Sequence, residues 1–224
     1  MRAFFMTATG TDIGKTYLGC GLIRAWREQG LKVGAFKPVS SGFDPAHAQE
    51  SDAGQLLIAL DRPVSLQTLD TISPWRYAAP LSPDAAAAKE GKHVDYTAVL
   101  SASRTFLQST RDVALIEGAG GVMAPLSDEH TMLDWMADLQ LPAILVTGSY
   151  LGTLSHTLTA LEVLKARRVP VALIVMNETA GSTVPLADNA AALSRRWPTT
   201  SVHALPWRAS PQVIAAIADS LLAG

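Results

Sequence analysis

Short apolar runs alternate along the chain with stretches whose apolar residues recur at helical spacing. The apolar runs fall at Arg2–Thr7, Lys32–Lys37, Asp112–Glu117, Ala143–Thr147, Val171–Met176 and Ser201–Leu205. Most are nearly continuous in hydrophobicity, the pattern of strands covered on both faces in a parallel sheet. Helical periodicity occupies the intervals near Lys15–Gln29, Ser51–Leu60, Pro83–Glu90, Tyr96–Gln108, Met132–Leu139, Leu154–Arg167, Val184–Trp197 and Pro211–Leu222. This alternation predicts an α/β fold, a doubly wound and mainly parallel sheet of about seven strands with helices on both faces. No repeat, low-complexity tract or linker interrupts it, so residues 1–224 read as one domain.

Such sheets bind ligands outside the carboxyl ends of their strands. The polar residues are placed accordingly: Lys37 and Glu117 end the second and third runs, Gly148 to Gly152 follows the fourth, and Asn177 follows the fifth. After the first run comes Thr7 to Thr16, reading TATGTDIGKT, and then a predicted helix from Tyr17 to Gln29. Strand, turn, Gly14-Lys15-Thr16 and helix is the context of a phosphate-binding loop. Backbone N–H groups from Thr11 to Thr16 would converge on phosphate oxygens at a helix N-terminus. Lys15 would bring a charge to the β- and γ-phosphates, and the Thr16 hydroxyl would face Mg²⁺. The glycine usual five residues before Gly14 is Thr9 here, and Gly10 supplies the backbone freedom instead.

Lys37 opens Lys37-Pro38-Val39-Ser40-Ser41-Gly42 and faces the same crevice, as a second cation for a group that gains charge during reaction. Glu117 ends an apolar run and precedes Gly118-Ala119-Gly120-Gly121. A carboxylate at a buried strand end needs a partner or a metal. Mg²⁺ takes hard oxygens with one or two carboxylates, so Thr16, Asp52 and Glu117 form a candidate site. Asp52 also fits a plain helix-start acid. Asn177 reads equally well as an adenine contact or as a turn cap.

Composition narrows the classes. Hydrophobic residues make up 48% and charged residues 17%, with a net charge of −2. That balance supports a large core and gives no electrostatic footprint for nucleic acid. The five histidines lack metal-ligand spacing, no Gly-x-Ser-x-Gly elbow occurs, and Cys20, the one cysteine, reads as packed. The pairs Arg167-Arg168 and Arg195-Arg196 read as solvated helix ends. Pro142, Gly148 and Gly152 break the uncharged stretch Leu139–Leu161, which argues against a membrane span. With no secretory-signal pattern at the start, a cytoplasmic enzyme is expected.

Taken in order, these fragments resemble the dethiobiotin synthetases. The resemblance runs through Thr9–Thr16, Lys37-Pro38-Val39 with Ser41-Gly42, Ser51-Asp52-Ala53, Leu81-Ser82-Pro83, Glu117–Gly121 and Pro125–Asp128. It continues in Leu151-Gly152-Thr153 with His156, Asn177 and Leu205-Pro206-Trp207. It implies an ATP-dependent ligase that closes a ureido ring on 7,8-diaminononanoate with CO₂ or bicarbonate, through a carbamate and a carbamic–phosphoric anhydride. It also implies a homodimer whose pocket is completed across the interface. By resemblance, Lys15, Lys37 and Thr11 serve the reacting groups, and Thr16, Asp52 and Glu117 hold magnesium. The nucleotide would contact Asp12, Ile13, Gly14, Lys15, Thr16, Tyr17, Glu117, Gly118, Asn177, Pro206 and Trp207. The substrate would meet Asp12, Lys37, Ser41, Tyr150, Leu151, Gly152 and Ser155. The chain departs from the family's usual residues at Gly10 (Asp), Asp12 (Glu), Asp84 (His), Tyr150 (basic) and Ser155 (Asn). A partition-type ATPase switch and a related ligase with another amine substrate remain the alternatives. The first lacks an early P-loop lysine here, and Pro211–Gly224 carries no Lys or Arg.

Overall fold

A computed structural model describes residues 1–223. Strands β1 (Arg2–Ala8), β2 (Val33–Phe36), β5 (Val113–Glu117), β6 (Ala143–Gly148), β7 (Val171–Asn177) and β8 (Val202–Leu205) form one parallel sheet in the order β2-β5-β1-β6-β7-β8. The sheet thus has six strands, where the sequence pattern predicts about seven. The remaining extended segments, β3 (Val39–Ser40) and β4 (Trp75–Arg76), pair with each other as a separate two-stranded ladder.

The alternation of side chains along β1 shows how both faces are filled. Phe4 stacks on Trp26 of helix α1 (Lys15–Glu28), with ring centroids 6.1 Å apart. Phe5 meets Trp135 of α6 (Met132–Leu139) edge to face at 4.7 Å. Neighbouring residues of a strand point to opposite faces, so these rings anchor one helical layer each. Right-handed crossovers put α5 (Tyr96–Ser109), α6, α7 (Thr153–Ala166) and α8 (Leu186–Arg196) on the second face. Helices α2 (Asp52–Ala59) and α9 (Pro211–Ala223) pack beside α1, and Trp26 Nε1 donates to the Ala218 carbonyl at 3.3 Å. Arg167 follows α7 and pairs with Asp134 at 2.6 Å, while Arg195 and Arg196 sit in the last turn of α8.

Two helices complete the chain, α3 (Leu66–Ile72) and α4 (Pro83–Lys89). Helix α3 has no counterpart in the predicted elements. Its two threonines weaken helix propensity, and a reciprocal cap holds it: Ser65 Oγ accepts from Thr68 N at 3.2 Å while Thr68 Oγ1 accepts from Ser65 N at 2.9 Å. Among the described residues, no helix is long and apolar enough to cross a membrane.

The strand order positions the site. Strand β5 lies between β2 and β1, with Met6 opposite Glu117 and Phe36 opposite Ile116. Adjacent strands run about 4.8 Å apart, so the ends of β2, β5 and β1 present their next residues side by side.

Candidate active site

The turn between β1 and α1 has the backbone that phosphate binding needs. Gly14 caps α1 at φ 90°, and a Cβ there would lie 2.2 Å from Asn177 Nδ2. Glycine is therefore required twice at this position, for its dihedral and for its lack of a side chain. Asp12 adopts φ 56°, a left-handed conformation that Asp tolerates better than most residues. The Asn177 amide nitrogen donates to the Ile13 carbonyl at 2.7 Å and pins the turn from β7. Its Oδ1 is buried without a protein partner.

Beside this turn, four side chains form one connected cluster. Thr16 Oγ1 donates to Glu117 Oε1 at 2.7 Å. Lys37 Nζ donates to the same oxygen at 2.8 Å and sits 3.0 Å from Asp52 Oδ2. It also reaches the Gly118 carbonyl at 3.3 Å. The Lys37 and Glu117 side chains are 3% and 1% exposed, so this is a buried ion pair, sensitive to loss of either member. Lys37 lies just beyond β2 rather than at its end, and its N–H is taken by the Ile72 carbonyl at 2.9 Å. Asp52 is the first residue of α2, whose cap is Ser51: the Gly54 N–H donates to Ser51 Oγ at 3.1 Å.

Burial would lower the Lys37 ammonium's pKa, but Glu117 and Asp52 outweigh it and hold it well above the usual lysine value. Burial would raise the Asp52 carboxyl, yet Lys37 holds it below the ordinary range, aided by Thr16 and Lys15. Lys15 lacks so close an acid. Burial, reinforced by repulsion from Lys37, lowers it from 10.5 to about 8, and its Nζ donates to the Gly10 carbonyl at 3.2 Å. Two cations and two anions leave the cluster neutral, with Lys15 as the cation lacking a carboxylate of its own.

The donor set suits a hard divalent cation. Glu117 Oε2 is buried with no partner, and the missing side chain of Gly19 leaves it room, since a Cβ there would lie 3.4 Å away. Among the described residues no group of three His, Cys, Asp or Glu side chains converges. Two carboxylates and the Thr16 hydroxyl match the sparse protein ligation usual for Mg²⁺.

The other residues singled out from sequence lie around this centre. Thr11 and Asp12 are exposed on the phosphate turn, Ile13 is half-buried within it, and Tyr17 is exposed in the first turn of α1. Ser41 follows β3, its hydroxyl buried without a partner. Asp84, at the first turn of α4, likewise keeps one buried carboxylate oxygen unpaired. Tyr150, Leu151 and Gly152 form the turn into α7 and Ser155 lies in its first turn; Leu151 is 90% exposed. Within the described residues, no hydrogen bond joins that turn to Lys37 or Glu117. Pro206 and Trp207 follow β8, where the Trp207 N–H donates to Glu178 Oε2 at 2.7 Å. Sequence reasoning missed Glu178 as the holder of this loop, although it directly follows Asn177.

A family model described as an AAA domain matches residues 2–212. An ATP-dependent dethiobiotin synthetase of Phenylobacterium zucineum is 50% identical over 186 residues, 83% of this chain and 80% of its own length. One from Caulobacter vibrioides is 51% identical over 181 residues, covering 80% and 81% respectively. Among solved structures, the septum site-determining protein MinD of Pyrococcus horikoshii, complexed with Mg-ADP, aligns at TM-score 0.59 and 19% identity, covering 100% of this chain and 97% of its own. That last likeness concerns the fold alone. With half of the aligned residues shared with the synthetases over four-fifths of its length, the chain belongs to the ATP-dependent dethiobiotin synthetase family.

Proposed function

We propose that the protein forms the ureido ring of dethiobiotin from 7,8-diaminononanoate, CO₂ and ATP, as a ligase making C–N bonds. The observation that carries this reading is the joined set Thr16–Glu117–Lys37–Asp52 beside a phosphate turn that holds Lys15. The relatives at half identity bear the synthetase name, so the partition-type switch is not favoured. Purified protein given the diamine, bicarbonate and Mg-ATP should release dethiobiotin and ADP in equal amounts. No diamine-dependent ADP under saturating conditions would overturn the proposal.

The residues divide the work by position. One substrate amine, turned into a carbamate by CO₂, offers an oxygen to the γ-phosphorus, and ADP leaves. The second amine attacks the carbonyl carbon of the resulting anhydride, the ring closes, and phosphate departs. Lys15 neutralises charge on the β- and γ-phosphates from the turn, where the backbone N–H groups also point. Lys37, held between Glu117 and Asp52, would supply the second cation for the carbamate oxygens. Thr11 and Asp12 stand at the open end of the turn, and Ser41 offers its unpartnered hydroxyl to the substrate. Thr16, Asp52 and Glu117 would hold Mg²⁺, which would supply charge neutralisation at the phosphates. The nucleotide's phosphates follow Asp12 to Tyr17 and Gly118. Its base lies between Asn177, with the free Oδ1, and Pro206-Trp207.

The proposal extends to a cytoplasmic homodimer of single-domain protomers, residues 1–224. The segment Tyr150–Ser155, with Leu151, Gly152 and Ser155 exposed, would reach the neighbour's substrate.

Lys15 gives this reading a pH signature. Below pH 8 the free lysine is already charged, and binding a triphosphate changes no protonation. Above it, binding must restore the proton, so affinity should fall up to about tenfold per pH unit between about 8 and 10. Titration calorimetry in buffers of different ionisation enthalpy should show proton uptake at pH 8.5 and none at pH 6.5. Equal uptake at both would disprove the assignment.

Asp12→Glu tests the amine end. The longer carboxylate restores the family's usual reach and is expected to lower the diamine KM severalfold. Its less favourable left-handed backbone should cost roughly 0.5–1 kcal/mol of stability. An unchanged KM would place residue 12 away from the amine.

A further inference from the structure

A knot of buried hydroxyls at the end of β6 is not used by the site described above. Thr147, Thr153 and Thr157 are at most 1% exposed. Thr9 Oγ1 donates to Thr147 Oγ1 at 3.3 Å. Thr147 Oγ1 lies 2.9 Å from Thr153 Oγ1 and 2.7 Å from Thr157 Oγ1. Two bonds leave the knot for backbone: Thr153 Oγ1 donates to the Gly148 carbonyl at 2.5 Å, and Thr157 Oγ1 to the Thr153 carbonyl at 2.7 Å. Thr9 opens the phosphate turn, Thr147 lies near the end of β6, and Thr153 begins α7. The knot therefore runs from the phosphate turn to the segment Tyr150–Gly152.

Counting protons shows why Thr147 is special. Each hydroxyl donates once and accepts through two lone pairs. Thr9, Thr153 and Thr157 spend their protons on the bonds just named, so Thr147 has one proton for two neighbours. It donates to Thr153 or to Thr157, never to both, and the knot has two alternative arrangements. A second tie runs parallel. Asn177 holds the Ile13 carbonyl with its side chain, and its own carbonyl accepts from Ser149 N at 2.9 Å. Ser149 and Thr179 exchange hydrogen bonds of 3.0 and 3.1 Å that brace the same turn.

We propose that Thr147 is a positioning residue that couples the phosphate turn to the segment Tyr150–Gly152, so that an occupied phosphate site orders that segment. A shift of Thr9 when phosphate seats changes what Thr147 accepts, and the proton choice passes the change to Thr153 at the start of α7. This rests on the nucleotide reading of the phosphate turn and adds to it a link toward the substrate segment.

Thr147→Val keeps the side-chain shape and removes the hydroxyl, whereas Thr147→Ser keeps the hydroxyl. Amide hydrogen exchange across residues 149–158 would be followed with and without Mg-ADP, whose binding is measured separately by calorimetry. In the unaltered protein and in Thr147→Ser, Mg-ADP should slow exchange there by at least about fivefold. In Thr147→Val, where only the tie through Asn177 remains, the slowing should fall below about twofold although Mg-ADP still binds. If Thr147→Val does not fold, Thr9→Val cuts the same chain at its other end and should give the same loss. Slowing retained in either valine variant, or no slowing in the unaltered protein with Mg-ADP bound, overturns the coupling. Failure of the unaltered protein to bind Mg-ADP overturns the nucleotide reading itself, and the coupling with it.

Discussion

Lys15→Met is expected to lower turnover by about 10³-fold while leaving the fold at least as stable as before. The two effects have opposite signs for one reason. Lys15 is buried on the phosphate turn, repelled by Lys37, and has only the Gly10 carbonyl as a hydrogen-bond partner. Its charge is disfavoured in the empty protein and becomes favourable when phosphates arrive. A methionine fills the same volume without the charge, so thermal unfolding should shift upward or stay put. Steady-state assays and calorimetric melting on the same preparation check both halves. A stability loss as large as the one expected below for Glu117→Gln would show that Lys15 is a structural cation instead.

Glu117→Gln should have the largest effect on stability, about 3 kcal/mol. It leaves the Lys37 ammonium buried at 3% exposure with only the half-exposed Asp52 as counter-ion. Lys37→Met leaves Glu117 uncompensated and should be destabilising to a similar degree. The double variant removes both charges, so its loss should fall short of the sum by about 1–3 kcal/mol. Urea unfolding of the four proteins closes that cycle, and strict additivity would mean that the pair is not coupled. Both single variants should also lose turnover, because under the proposed function Glu117 would hold Mg²⁺ and Lys37 would serve the carbamate.

Much of this arrangement was legible because hydrophobic runs mark strands and the strand ends mark the ligand edge. The polar residues after the first three runs did converge: Thr16, Lys37 and Glu117 are in direct contact, with Asp52 joining them from α2. The order β2-β5-β1 was not legible, since nothing local to Asp112–Glu117 says which neighbours it takes. Helix α3 and strands β3 and β4 were missed because the helix is short and β-branched and each of these strands is only two residues long. Asn177 was left between two readings, and the fold explains the ambiguity. Its nitrogen pins the phosphate turn while its oxygen stays free. The threonine knot escaped notice because Thr9, Thr147, Thr153 and Thr157 are unremarkable in sequence and meet only when β1, β6 and α7 pack together.

The insertion of β5 between the first two strands also governs synthesis on the ribosome. By the time residue 60 has emerged, the phosphate turn, Lys37 and Asp52 all exist, yet the slot that separates them is empty. The acid that joins them arrives more than fifty residues later. A half-made chain thus carries Lys15 and Lys37 with Asp52 as the one cluster carboxylate, and lacks the strand that would set their spacing. Until Glu117 is made and β5 has paired with both neighbours, nothing joins Thr16 to Lys37, so the cluster is among the last parts of the ligand edge to assemble.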